Sequence, residues 1–518
     1  MRIIALVGFV LLLPGLLAGC GNSDNPDTLP GPDQIIRLSD SEIKGLDPQK
    51  ISDLSSLRVA ADQFEGLARL NASGEAEPGL AESWSVSEDG LRWNFQLRDE
   101  LQFSDETGFN ATLFPQIWNR LQVAETASPT KALFDNIRSV TADDEASVIV
   151  TLRSPAPHLP VLVAHPAMAA LPLHRIAQAG DKWTSERPMV TSGPYQLATW
   201  QLNDHARMTR NPQWHDEPAP TANIIWKPMD DGLSAMRLIL AGGADVAADY
   251  PASRHQWLKE NHPGLAHSVP YLGSYYFAFN VRKPPFDDIR VRTALSMAVE
   301  REWIASKVIG IDNIPAWNLL PPDLTGGISA KPVWASWSRD RRLTAARDLL
   351  QEAGYDPSNP LEFEIRFNSS SEHRRVSVAL AAMWKPINVK ARLFNSEAAL
   401  HFAALRTHDF ALARSGWIAD LPAAENFLTV HQTANGSGNY SGYDNPAYDA
   451  IVAQAIATAD PDRRDTLMRQ ADEMLIDDMP ILPLYFYVTS SLVSKRIAGW
   501  QDNISNVHPS RTLRISKK

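Results

Sequence analysis

The chain has 518 residues, with 49 Lys and Arg against 60 Asp and Glu, a formal net charge of −11 at neutral pH, and 44% hydrophobic and 21% charged residues. An acidic balance without long basic clusters argues against a nucleic-acid binder and for a well-solvated surface, while the length allows two or three domains around a large core. The single cysteine, Cys20, excludes an intrachain disulfide and a cysteine-based metal site.

At the N-terminus, Arg2 precedes an apolar run from Ile3 to Leu13 and then Leu17-Ala18-Gly19-Cys20, the pattern of a secretion signal closing in a lipoprotein processing box. Residues 1–19 are expected to be removed and Cys20 to become the acylated first residue. An uncleaved anchor is the weaker reading, because the run is shorter than the ~20 apolar residues that span a bilayer. Losing Arg2 takes the charge to −12, with 48 basic against 60 acidic residues. Residues 20–32, rich in Asn, Asp, Ser, Pro and Gly, read as a solvated tether. No later stretch is long and apolar enough for a second span, so the body is expected to be soluble apart from its anchor.

After residue 32 there is neither a short repeat nor a low-complexity block, and strands alternate with helices. Leu361 to Phe367 alternates apolar and charged residues with the period of two of a half-buried strand. From Glu372 to Lys385, Val376, Leu380, Met383 and Trp384 fall at helical spacing before Pro386. Asn388 to Phe394 is strand-like again, which makes a β-α-β unit with parallel strands. A helix over about Ser396 to Thr407 leads to an expected third parallel strand, Asp409 to Arg414. His373, at a helix start, and Arg414 to Asp420, after that third strand, should share the carboxyl edge of the sheet, where open parallel sheets bind ligands.

The segment Ala413-Arg414-Ser415-Gly416-Trp417-Ile418-Ala419-Asp420 holds a cation, an aromatic and an anion within seven residues, a natural seat for a zwitterion. Spacing alone leaves a blander reading open: Arg414 and Asp420 as a surface ion pair worth little, and His373 as a helix-start histidine facing water. Trp417 and Tyr275 are each either cleft walls or core.

In chain order, Glu42-Ile43-Lys44-Gly45-Leu46-Asp47-Pro48, Phe64-Glu65-Gly66-Leu67, Pro78-Gly79-Leu80-Ala81-Glu82-Ser83-Trp84, Thr191-Ser192-Gly193-Pro194-Tyr195, Lys283-Pro284-Pro285-Phe286-Asp287-Asp288, Glu352-Ala353-Gly354-Tyr355 and Pro483-Leu484-Tyr485-Phe486-Tyr487 resemble the extracytoplasmic substrate-binding proteins of peptide ABC importers, above all the oligopeptide-binding proteins. The resemblance covers nearly the whole mature chain. It implies an α/β, bilobal, type II periplasmic-binding-protein-like fold with an extra appended domain and a two-strand hinge. One lobe would comprise 33–55, 185–277 and 486–518, the appended domain 56–184, and the other lobe 278–485. Tyr275 to Asn280 and Leu482 to Val488, both extended and aromatic, would be the crossings.

The resemblance further implies that Asp420 holds a peptide α-ammonium and that Arg414, His373 and Lys307 meet the C-terminal carboxylate of peptides of different length. Gly416, Ile418, Trp417, Tyr275, Asp249 and Glu42 complete the candidate ligand contacts. Implied partners are short peptides and the permease subunits of an ABC importer, with no cofactor, no metal, a monomeric state and a location in the periplasmic space or on the outer face of the cell membrane. The chain departs from the pattern at Phe103 to Thr112, at Thr130-Lys131-Ala132 where a tyrosine is expected, and at Ala247-Ala248-Asp249-Tyr250-Pro251 where relatives carry Tyr-Asn-Asn. Asp249 can accept but not donate hydrogen bonds; it either favours basic peptides or is a loop residue. Gly-x-Ser-x-Gly, His-Glu-x-x-His, Walker A and Gly-x-Gly-x-x-Gly signatures do not occur. Ser41-x-x-Lys44 is a pattern common by chance, which leaves a secreted peptidase as the remote alternative and a same-fold protein for another ligand (a cell-wall peptide, a metal chelate or an opine) as the nearer one.

Overall fold

The computed structural model describes residues 31–326 and 330–516; the expected signal segment, Cys20 and most of the expected tether lie outside them. A seven-stranded sheet is centred on β1 (Gln34–Ser39), which runs parallel to Asn223–Pro228 on one side and to Val246–Ala247 on the other. Five of its six residues are buried, as expected for a parallel strand covered on both faces. Strands Tyr195–Gln201, His205–Arg210, Ala266–His267 and Ser491–Val493 complete the sheet. A four-stranded antiparallel sheet (Ala81–Val86, Arg92–Leu97, Ser147–Leu152, Ile137–Ala142) packs beside it. The two share one core, in which Phe95, Phe114 and Val150 join Ile35, Tyr195 and Trp226. Helix α1 (Leu54–Gln63) starts where the Asp53 side chain accepts the Ser56 N–H, an ordinary N-cap.

The other lobe is built on β2 (Pro270–Phe279), β3 (Leu361–Asn368), β4 (Val389–Ser396), β5 (Leu412–Ile418) and β6 (Ile481–Val488). With the short strand Ile314–Pro315, their order is 314–315, β6, β2, β5, β3, β4. The expected β-α-β unit is present: β3 and β4 are parallel from Leu361↔Val389 to Asn368↔Ser396. Between them lies α2 (Ser371–Trp384), capped by Ser370, whose hydroxyl accepts the N–H groups of Glu372 and His373. Trp384 is buried and donates its indole N–H to the Leu295 carbonyl at 2.9 Å. A side chain of this size contributes about 2–3 kcal/mol through burial.

The third strand differs from expectation. The helix α3 (Ala398–Arg406) ends with His408 in the left-handed region (φ 54°), and the chain needs Asp409 to Ala411 to reach the sheet. Strand β5 is therefore Leu412–Ile418. It pairs in parallel with β3 only at Leu412 and Ala413, while along its other edge it runs antiparallel to β2 over its whole length, from Phe279↔Leu412 to Gly273↔Ile418. Arg414, Gly416, Trp417 and Ile418 lie within the strand, and only Ala419 and Asp420 follow its end.

Both β2 and β6 belong to this second sheet, because Tyr275, Phe277, Phe279 and Tyr485 are buried in its core. The passages between lobes consequently fall before Pro270 and after Val488. There, Thr489 donates its N–H to the Val269 carbonyl at 2.8 Å, which joins the two connecting segments side by side. Among the described residues no helix is long and apolar enough to cross a membrane.

Candidate functional site

Strand alternation divides the β5 side chains between two faces. Arg414, Gly416 and Ile418 share one face; Ser415 and Trp417 take the other. The Arg414 guanidinium lies 5.0 Å from the centroid of the Tyr275 ring. Its Nη2 donates to Tyr487 Oη at 2.9 Å, and its Nη1 is 3.5 Å from Asn368 Oδ1. The backbone carbonyl of Arg414 accepts from His401 Nε2 at 2.9 Å. No carboxylate pairs with Arg414 among the described residues, and its buried Nε has no partner. Arginine stays protonated under any physiological condition, so this is a standing positive charge bounded by aromatic rings. Gly416 permits the arrangement: a Cβ there would meet Ser274 O at 3.0 Å and Tyr487 Oη at 3.1 Å.

His373, in the first turn of α2, places Nδ1 3.2 Å from Tyr275 Oη. Burial, reinforced by the nearby Arg414 charge and by His401, depresses its pKa to about 3, so the imidazole is neutral at pH 7. Tyr275 stacks on Tyr485 with centroids 4.5 Å apart, and Tyr485 donates to Glu372 Oε1 at 2.8 Å. Tyr275 is thus both core and wall: its ring is buried and its hydroxyl end reaches His373. Lys307 sits in the π-helical turn Ile304–Ile309, exposed and without an ion pair among the described residues. The neighbouring Val308 carbonyl accepts from Arg375 of α2 at 3.3 Å.

At the other end of the strand, Asp420 is exposed as a residue, yet the protein around it pushes its carboxyl above the ordinary aspartate range by desolvation. Among the described residues no cation pairs with it. Its backbone N–H donates to Asn426 Oδ1 at 3.3 Å, and the same oxygen accepts from Trp417 Nε1 at 3.0 Å. Asn426 thereby fixes the turn that carries Asp420. Trp417 itself packs against the apolar cluster of Leu272, Tyr276 and Phe427, on the face away from Arg414. Its indole N–H thereby anchors that turn. Ile418, 49% exposed, lies on the Arg414 face.

Two further candidates lie elsewhere. Both carboxylate oxygens of Glu42 are engaged, one by Asn203 N at 2.9 Å and the other by Ile43 N at 3.1 Å, so Glu42 braces a hairpin turn of the first lobe. Asp249 accepts from Ser490 Oγ at 2.5 Å and from Tyr250 N at 2.7 Å. It lines a small recess with Ser39, Asp40 and Asp230 at the carboxyl end of β1, apart from the Arg414 cluster.

Tyr487, Tyr485, Glu372, Asn368 and Asn426, which contact Arg414, Tyr275, Trp417, the turn at Asp420 or one another, are not among the candidates that the sequence offers. For the two tyrosines a signal existed: in Pro483-Leu484-Tyr485-Phe486-Tyr487 they are two apart and so share a face.

A bilobal α/β body with two adjacent connecting segments and, in one lobe, an unpaired cation and an unpaired anion along one strand, is the architecture of an extracytoplasmic solute-binding protein. Residues 75–439 match the bacterial extracellular solute-binding proteins, family 5, and the chain belongs to that family. It is similar to the periplasmic oligopeptide-binding protein OppA of Salmonella typhimurium, with 32% identity over 496 residues, 92% of this chain and 91% of the relative. Among solved structures, the unliganded open form of the murein tripeptide-binding protein MppA matches with a TM-score of 0.84 at 31% identity, covering 95% of this chain and 98% of that one. Haemophilus influenzae OppA in complex with the peptide RPPGFSPFR matches with a TM-score of 0.75 at 28% identity, covering 95% and 100%. The better fit to the open form accords with the exposure of Asp420 and Ile418.

Proposed function

We propose that this chain is the capture component of a peptide importer, a lipoprotein held at Cys20 in the periplasm or on the outer face of the cell membrane, which closes around short peptides and delivers them to permease subunits without catalysis or a cofactor of its own. The observation that carries this reading is the pair of unmatched charges on one strand edge. Among the described residues Arg414 has no carboxylate partner and Asp420 no cation, although burying either alone is unfavourable. A zwitterionic ligand supplies both counter-charges on closure, and the closed state is stabilised by contacts to both halves. Six residue steps at about 3.3 Å set the Arg414 and Asp420 Cα atoms at most about 20 Å apart, a span on the scale of a peptide of a few residues. His373 and Lys307 stand as further carboxylate partners near Arg414. The kinship with OppA and MppA, whose names state oligopeptide and murein peptide binding, supports the substrate class. The division into two lobes and an appended domain, at about residues 56–184, belongs to the same proposal.

Native mass spectrometry of the purified protein, followed by denaturing release and sequencing of what co-purifies, tests it. Heterogeneous short peptides are expected. A single homogeneous non-peptide mass would overturn the substrate class and leave the fold. For the anchor, Cys20→Ser should move the protein from the membrane to the soluble fraction.

A further inference from the structure

The turn that carries Asp420 is held from a second direction. Asn426, which accepts from Asp420 N and Trp417 Nε1, is the second residue of the short helix Glu425–Leu428. Glu425, its first, accepts at Oε1 from Arg464 Nη2, and His158 Nδ1 lies 3.4 Å from the same oxygen. Arg464, on helix Pro461–Asp478, is 5% exposed. Its Nη1 is within hydrogen-bond distance of the Ala455 and Ile456 carbonyls, at 3.1 and 3.0 Å, and of the Pro155 carbonyl at 3.2 Å. Pro155 and His158 follow the strand Ser147–Leu152 of the four-stranded sheet, so one guanidinium bridges two parts of the chain far apart in sequence. Leu421 and Ala423, between Asp420 and Glu425, are buried in the core that this sheet shares with β1.

Contacts thus run from Pro155 through Arg464 to Glu425, and from its neighbour Asn426 to Asp420. A partly buried carboxylate held by a buried guanidinium is confined, because moving either partner away leaves the other uncompensated. The planar fork of arginine reaches the carboxylate and a carbonyl at once. Among the described residues the Asp420 carboxylate has no such partner, so its position is inherited from the turn. We infer that Glu425 is a positioning residue for the ammonium seat: with Arg464 it fixes the Asp420 turn against residues 155–158, and thereby sets the preference for a free amino terminus. The inference rests on the peptide reading above, in which Asp420 receives the ligand ammonium, and adds the group that aims it.

The test is titration calorimetry with Ala-Ala-Ala and its N-acetylated form on the wild type, Glu425→Ala, Glu425→Gln, Asp420→Asn and the double variant that combines Glu425→Ala with Asp420→Asn. Thermal melts show that each folds. Glu425→Ala should weaken Ala-Ala-Ala about five-fold or more, while the acetylated peptide changes by less than about two-fold. Glu425→Gln, which keeps an acceptor for Arg464, should restore most of the difference. In the Asp420→Asn background the effect of Glu425→Ala should vanish, since a residue acting through Asp420 has nothing left to aim. Equal losses for both peptides, the same loss in the Asp420→Asn background, or no loss at all would overturn the inference and leave Glu425 a purely structural partner of Arg464. Should Glu425→Ala fail to fold, Arg464→Lys, which keeps a charge for Glu425 but has no second arm for Pro155, carries the same comparison with the same outcomes. If the wild type binds neither peptide, the peptide reading falls, and if it binds both alike, the role of Asp420 falls. Discrimination that is present in the wild type and untouched in the variants removes only the positioning role.

Discussion

Replacing Asp420 by asparagine keeps the shape of the side chain and one acceptor while deleting the charge. In the open form that charge has no partner, and desolvation raises its pKa. The folded state accordingly holds the proton more tightly than the unfolded chain, and ionisation lowers stability as pH rises through the carboxylate range. Unliganded Asp420→Asn should melt at the same temperature as the wild type or slightly higher at pH 7. Binding should move the other way. An ammonium against a carboxylate in a closing cleft is a charge-assisted hydrogen bond worth about 2 kcal/mol or more, so peptides with a free amino terminus should weaken about thirty-fold or more. N-acetylated versions of the same peptides bring no charge to the position and should change by less than about two-fold. Calorimetry on matched free and acetylated pairs, with melts of the unliganded protein, measures both effects. Equal losses for the two peptide forms, or a clear drop in the melting temperature of the unliganded variant, would refute the reasoning.

Arg414→Gln should weaken by tens-fold those peptides whose carboxylate reaches β5 and spare lengths served by His373 or Lys307; a uniform loss across a length series would count against this division. Gly416→Ala drives a methyl against Tyr487 Oη and should reproduce the Arg414→Gln length profile while leaving the discrimination against acetylated peptides intact. His373, neutral with a pKa of about 3, should take up a proton when a ligand carboxylate arrives beside it. Binding of those peptides should then strengthen as pH falls from 7 to 5, with a heat that depends on the ionisation enthalpy of the buffer. His431 is buried with neither ring nitrogen hydrogen-bonded, and desolvation lowers its pKa to about 4 from 6.5. As pH falls the unfolded chain is protonated first, so stability fully present above about 6.5 is lost down to about 4, by up to ~3 kcal/mol. His431→Phe should flatten that part of the stability profile in urea titrations at pH 7 and 4.5.

Local pattern carried the sequence reading a long way where one element buries one face. The period of two in Leu361 to Phe367 and the helical spacing of Val376, Leu380 and Trp384 each have a single burial solution, and the strand-helix-strand unit formed as read. Ordered motifs along the chain placed the family, and the conjunction of Arg414 and Asp420 marked the site. What spacing could not supply was pairing. The start of β5 shifted because His408 takes a left-handed turn and because β2, more than 130 residues earlier in the chain, pairs with the strand all the way from Leu412 to Ile418. That long-range pairing sets Trp417 against the apolar cluster of Leu272 and Phe427 and Arg414 against Tyr275 and Tyr487. The hydroxyl of Tyr487, the acceptor on Asn426 and the engagement of Glu42 by a hairpin backbone likewise depend on groups brought together only by tertiary packing. Residue chemistry is set locally, whereas the partner that leaves a charge satisfied or free is chosen by the whole fold.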